Sequence, residues 1–368
     1  MIMLLKRAGY LSALIVLCIC AILTGNHLFA LLAAACAALV LISLALFLSS
    51  VRRIQLHIDL PEIAAKNADF SARIRIDAGR FSSCMHMKLI GRAVNLLCGD
   101  IAPIAADAAG KSLEIRLCSP RCGKLSLQID RLEITDPLGL FCKKTRLQAQ
   151  ASALILPEPF DIAIAMRAHD LPLPDSDEYS PDRPGNDPSE LFGIRDYREG
   201  DALKRIHWKL SEKYDRTVVR ELSLPVSHAV LLLLDNCPQT EIAPDDACSA
   251  CEALISCSLS LADAGVYHRI AWINRETGIM EMRSIASTDD LYGEQGALLS
   301  ARMARDDVGV IPRLLDQSPV EYSHLLIFAA ARTHGVSALE GRATILMPNA
   351  DSENAICCLR DKLTQLTV

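Results

Sequence analysis

The stretch Gly185–Glu221, GNDPSELFGIRDYREGDALKRIHWKLSEKYDRTVVRE, separates two kinds of sequence pattern and decides how the chain is parsed. It mixes charges of both signs with Phe192, Tyr197, Trp208 and Tyr214. Leu203, Ile206, His207 and Leu210 recur at helical spacing, which stacks them on one face of a helix opened by Asp201 as N-cap. From Arg216 the run RTVVRELSLP is β-branched and stops at Pro225, the pattern of a strand. The unit over 189–225 therefore reads as loop, helix, strand.

Downstream, over 226–368, strand and helix patterns alternate. His228–Asp235, HAVLLLLD, is a continuous apolar run ending in an acid, as a strand buried on both faces reads. Helical spacing follows over 247–264, strands over 267–273 and 279–285, and a helix over 291–304. Further strands are expected over 325–328 and 343–347, and a closing helix over 355–366. This order predicts an open, mostly parallel α/β sheet of Rossmann-like type, with ligands at the carboxyl ends of its strands. Asp235 and Asn236 fall on that edge.

Upstream, 161–188 reads as a mobile linker, because LPLPDSDEYSPDRPGNDP over Leu171–Pro188 has little apolar surface to bury. The segment 54–160 shows period-two alternation at Ile54, Leu56, Ile58 and Leu60, again at Phe70, Ala72, Ile74 and Ile76, and over 113–117 and 125–129. Short strands of this kind predict an antiparallel β domain resembling a sandwich, read as a packing domain, with a turn at Asp136–Phe141.

Residues 1–53 contain apolar runs over about 8–24 and 28–50, broken by Thr24-Gly25-Asn26-His27. A second, longer run directly after the first fits a transmembrane hairpin better than a signal peptide. Lys6-Arg7 and Arg52-Arg53 flank the hairpin and its turn carries no Lys or Arg, which places the soluble domains in the cytoplasm, below the inner (plasma) membrane.

Composition bounds the rest. The chain has 368 residues, enough for two or three domains, and a net charge of −6 that gives no nucleic-acid footprint. Its 14 cysteines are scattered, many in apolar runs, and read as reduced thiols rather than disulfides or a zinc site. There is no Gly-x-Ser-x-Gly elbow, phosphate-cradling glycine loop or His-Glu-x-x-His. His207 invites comparison with a triad through Asp201 and Ser211, but Ser211 lies one turn along the same expected helix, so no catalytic residue is assigned. A mixed charge run is ordinarily a solvated face. Here the Gly200-Asp201 turn, Trp208 beside an imidazole, and arginines suited to bidentate pairing favour a network of Arg195, Asp201 and Arg205 that clamps the helix and leaves its outer side for a partner.

These features, in this order, resemble the domain of unknown function 58 family of bacterial membrane proteins. The resemblance is carried by the hairpin, TDPLGLF, LILPEP, and a central phrase at Arg195, Tyr197, Gly200, Asp201, Arg205, Ile206, His207, Trp208 and Ser211, with Lys204 just before. It implies a C-terminal domain similar to a von Willebrand factor A domain, frequent association with MoxR-type AAA+ ATPases, and no established activity. Such domains often hold Mg²⁺ through Asp-x-Ser-x-Ser. Here Asp235-Asn236-Cys237-Pro238-Gln239 keeps the acid and lacks both serines, so no cofactor is expected. The expected function is a membrane-anchored cytoplasmic scaffold or adaptor docking a protein partner. The alternative is a metal-dependent receptor acting through Asp235.

Overall fold

The computed structural model describes residues 2–51, 54–77, 84–109, 112–165, 179–185, 187–198, 200–225, 230–317, 322, 324–333, 335, 339, 343–349 and 355–367. Arg52, Arg53, Glu199, His228, Ala229 and 166–178 of the expected linker lie outside them. The chain divides into two units, Met1–Pro157 and Glu158–Val368.

The first unit begins with α1 (Ile2–Thr24) and α2 (His27–Ser50), both long and apolar enough to cross a membrane. Gly25 turns the chain at φ +59°, where a side chain is disfavoured, and the Asn26 carboxamide oxygen caps α2 by accepting the Leu28 N–H at 3.0 Å. Eight strands follow: β1 (Gln55–Asp59), β2 (Ile63–Ala65), β3 (Asp69–Asp77), β4 (His86–Asn95), β5 (Ile101–Ala109), β6 (Ser112–Cys118), β7 (Gly123–Thr135) and β8 (Cys142–Leu156). They form a three-stranded sheet, β1-β3-β6, and a five-stranded sheet, β2-β8-β7-β4-β5. Alternation on β3 buries Ala72, Ile74 and Ile76 against Met87, Leu89, Leu127, Ile129, Leu132 and Ile134 of the larger sheet. Gly91 sits at a register shift between β4 and β7, where a Cβ would strike the Gln128 carbonyl. The last turn of α2 joins this core through Leu46, Phe47 and Val51, with the Phe47 ring 6.1 Å from that of Phe141.

Asp136 fastens the helices to the sandwich. It is fully buried, accepts the Ser43 hydroxyl of α2 at 2.6 Å, and takes the Leu138 and Phe141 N–H groups at 3.2 and 2.6 Å. The expected turn is thus a socket for the end of the hairpin.

The second unit holds β9 (Ala163–Ala165), β10 (Tyr179–Gly185), β11 (Asp187–Asp196), α3 (Trp208–Tyr214), β12 (Val218–Pro225), β13 (Val230–Asp235), α4 (Pro244–Asp263), β14 (His268–Ile273), β15 (Met280–Ile285), α5 (Thr288–Leu298), α6 (Val310–Gln317), β16 (His324–Ala329), β17 (Ala343–Met347), β18 (Ala355–Cys357) and β19 (Gln365–Thr367). Six strands make one sheet in the order β15-β14-β13-β16-β17-β18, parallel except for β15. Leu231 and Leu233 pack with Val310, Ile311 and Leu314 of α6 on one face. The alternate Val230, Leu232 and Leu234 are also buried, and α4 lies against β13, β14 and β16. Burial on both faces is why HAVLLLLD shows no alternation.

Three expectations are corrected. The closing helix over 355–366 is instead β18, a turn and β19, which pairs in parallel with β9. The expected linker 161–188 contains β9 and β10, the latter antiparallel to β12. The helix expected over 291–304 ends at Leu298, and α6, which no pattern announced, follows.

Candidate functional site

The central motif is a β-hairpin with a helical excursion at its tip. β11 and β12 pair antiparallel, with Asp196 opposite Val218, Arg195 opposite Val219 and Gly193 opposite Glu221. The chain leaves the ladder after Asp196 and rejoins it at Val218 on that rung, with 197–198 and 200–217 described between them. The excursion is tied down along its length: the Tyr197 N–H donates to Thr217 O at 2.9 Å, the His207 N–H to Val218 O at 2.9 Å, and Ile206 forms a bridge with Val219. Ile206, Val218 and Val219 are buried beneath it.

The helix expected from Asp201 starts later than its spacing implied. A 3₁₀ turn, Leu203–Arg205, is followed by extended Ile206 and then α3. The tertiary bridge to Val219 takes Ile206 out of the helix, and the N-cap passes to His207, whose Nδ1 accepts the Leu210 N–H at 3.4 Å. Asp201 is engaged elsewhere. Its two oxygens receive Arg195 Nη1 and Nη2, each at 2.7 Å, and one also accepts the Arg198 N–H at 2.8 Å. Gly200 enters this turn at φ +103°, a conformation that favours glycine. Arg195 Nε donates to Glu221 at 2.9 Å. The Arg195 fork, then the Arg198 N–H, holds the Asp201 carboxyl well below the usual carboxylate range, and Asp201 in turn raises Arg195.

The structure thus brings Arg195, Asp201 and Gly200 together. Arg205 sits half-buried on the 3₁₀ turn. Glu221 is the network member that sequence reasoning missed. It lies two residues beyond Val219, the direct partner of Arg195, and so on the same face of the hairpin. Ser211 Oγ accepts the Val218 N–H at 3.0 Å, which pins α3 to β12. Among the exposed large side chains of the excursion, Trp208 is 68% exposed, Leu203 68%, Tyr214 54% and Tyr197 36%. Lys213 and Arg216 each lie 5.9 Å from the Tyr214 ring centre.

Asp235 ends β13 at the carboxyl edge of the large sheet and is buried. One oxygen accepts the Cys237 N–H at 3.2 Å and the other the Thr333 hydroxyl at 2.7 Å. Thr333, after β16, escaped sequence reasoning because 98 residues separate the pair. Asn236 spans to β14, donating to Ile273 O at 2.7 Å and accepting its N–H at 3.0 Å. Arg275 and Arg313 reach the Cys237 sulfur at 3.1 and 3.3 Å and share one Asp306 oxygen at 2.7 and 3.1 Å. A magnesium ion wants a shell of oxygen ligands. Here a thiol stands in the second position of the turn, with two guanidiniums against it. The residues around Asp235 do not fit Mg²⁺.

No family model matches the chain, and no curated protein matches it. Among solved structures, one similar chain is the cohesin module from a Clostridium perfringens ATCC13124 family 33 glycoside hydrolase. It is 9% identical, with a TM-score of 0.21, over 28% of this chain and 98% of the module. A likeness of that size carries no argument about fold or function.

Proposed function

We propose that the chain is a membrane-anchored, non-enzymatic scaffold that docks a protein partner on the outer face of the 197–217 excursion. One observation carries this reading: Trp208 is 68% exposed on a helix that Ser211 and His207 pin to a hairpin. Most of this large aromatic stays in water among the described residues, and Trp, Tyr and Arg are the side chains that dominate protein interfaces. Leu203 and Tyr214 are further exposed apolar side chains on the same excursion.

The membrane reading is supported by the two apolar helices, and the cytoplasmic orientation by Lys6 and Arg7 together with a turn that lacks Lys and Arg. The resemblance to the domain of unknown function 58 family, with a von Willebrand A-like C-terminal domain, makes a MoxR-type AAA+ ATPase the partner to test. Detergent-solubilised full-length chain should capture such an ATPase, and Trp208→Ala should lose it while melting at the wild-type temperature. Equal capture by the variant, or no ATPase captured by wild type, overturns the proposal.

A further inference from the structure

A cleft of about 410 Å³ opens between α1 and α2, lined by Tyr10, Leu14 and Val40 and floored by Leu140 and Phe141 of the Asp136–Phe141 turn. Its wall is apolar apart from one cation, Arg7, whose Nε donates to Leu140 O at 2.6 Å. Lys6 lies across the same turn, its Nζ 3.2 Å from where a Gly139 Cβ would stand. The two helices contain no carboxylate. The nearby Asp136 is fully buried and committed to Ser43, Leu138 N–H and Phe141 N–H. One basic side chain, Arg7, therefore lines an apolar slot that begins where the two helices meet the sandwich, and a second, Lys6, lies against Gly139 of the turn that floors it.

From this geometry we infer that the cleft is a binding site for an anionic phospholipid, one acyl chain lying between α1 and α2 and the headgroup phosphate meeting Arg7 and Lys6. Three features select this ligand. An apolar slot between two lipid-facing helices is filled from the side by hydrocarbon. A guanidinium matches the paired oxygens of a phosphate. Two cations without an opposing carboxylate on either helix favour a headgroup of net negative charge over a zwitterionic one, at roughly a tenfold preference. Tyr10, which also lines the slot, ties the two helices together by donating its hydroxyl to Cys36 O at 2.6 Å.

The inference rests on the membrane-anchor reading, and the two fail separately. Carbonate extraction of membranes tests anchoring, whereas lipid selectivity is read on the purified chain. The full-length protein in detergent is titrated with phosphatidylglycerol and phosphatidylcholine of identical acyl chains, and bound lipid is counted by native mass spectrometry. Wild type should retain phosphatidylglycerol roughly tenfold better. Lys6→Gln with Arg7→Gln should bring the two lipids to parity, and Arg7→Lys should keep the preference. Val40→Trp, which fills the slot and leaves the cations in place, should lower retention of both lipids. Inorganic phosphate should not displace bound phosphatidylglycerol. Equal retention of the two lipids by wild type, unchanged selectivity in the double Gln variant, undiminished binding in Val40→Trp, or displacement by free phosphate each overturns the site.

Discussion

Arg195 and Asp201 meet through two parallel N–H···O bonds, each 2.7 Å long, across six residues of chain. A guanidinium makes this fork and an ammonium cannot. Arg195→Lys should therefore loosen the 197–217 excursion even though charge is retained. The readout is amide exchange: the His207, Leu210 and Val218 N–H groups should exchange faster in Arg195→Lys and Asp201→Asn than in wild type. Unchanged protection in both would show that the ladder contacts alone hold the excursion.

Trp208 and Trp272 are the chain's two tryptophans, the first 68% exposed and the second 2%. Native fluorescence should contain one red-shifted component that acrylamide quenches readily, removed by Trp208→Ala. The same variant should change unfolding free energy by no more than about 0.5 kcal/mol, as expected for a surface position. A larger loss would mean that Trp208 supports the fold instead of facing a partner.

Asp136 satisfies three donors from complete burial. Replacing it with Ala strands the buried Ser43 hydroxyl, at about 1–3 kcal/mol, and takes the acceptor from two part-buried backbone N–H groups, which adds to that loss. Ser43→Ala removes one bond and leaves the acid with its two N–H donors, so its cost should be nearer 1 kcal/mol. Thermal melts of the detergent-solubilised chain should rank wild type, Ser43→Ala, Asp136→Ala in descending order. Equal melting of the two variants would contradict the socket.

The period-two strands and the HAVLLLLD run were readable because their partners impose one repeated condition, burial on one face or on both. The segment 355–366 was not. Ile356, Leu359, Leu363 and Leu366 recur at perfect helical spacing, yet the chain there is drawn into two short pairings, one with β17 and one with β9. Those partners are distant in sequence, and local periodicity carries no record of them. The site divides in the same way. Gly200, Asp201 and Arg195 are near neighbours and could be grouped by eye. Glu221, 26 residues from Arg195, and Thr333, 98 from Asp235, enter only through the topology.

Asp306 supplies a pH signature. Burial acts to raise its pKa, but bonds from Arg313, from the Gly309 and Val308 N–H groups and from Arg275 outweigh it and hold it at about 2. A depressed carboxyl contributes stability above its unfolded value of about 4, and that contribution is lost as pH falls toward the folded one. The stability gap between wild type and Asp306→Asn should stay constant from neutral pH to about pH 4, on the order of 2 kcal/mol, and close below that. A gap that widens on acidification would refute the assignment.

Burial pushes the Cys257 thiol well above its ordinary range and the Cys358 thiol up to about 12, each raised further by a neighbouring thiol. Thiolate is the reactive species, so both should resist alkylation in the native protein at neutral pH and react after unfolding. Mass spectrometry of iodoacetamide-treated native protein, mapping the modified positions, gives the answer. Native labelling of either cysteine would exclude the packing described.

The last turn of α2 ends inside the sandwich, with Phe47 and Val51 among its core residues. A domain strung on a slack tether tumbles beside the bilayer and offers every face to it in turn. Here the end of the helix pair is part of the domain's own core, so the helices and the sheets share one set of buried side chains, and a substitution at Phe47 or Val51 should be felt in the packing of both.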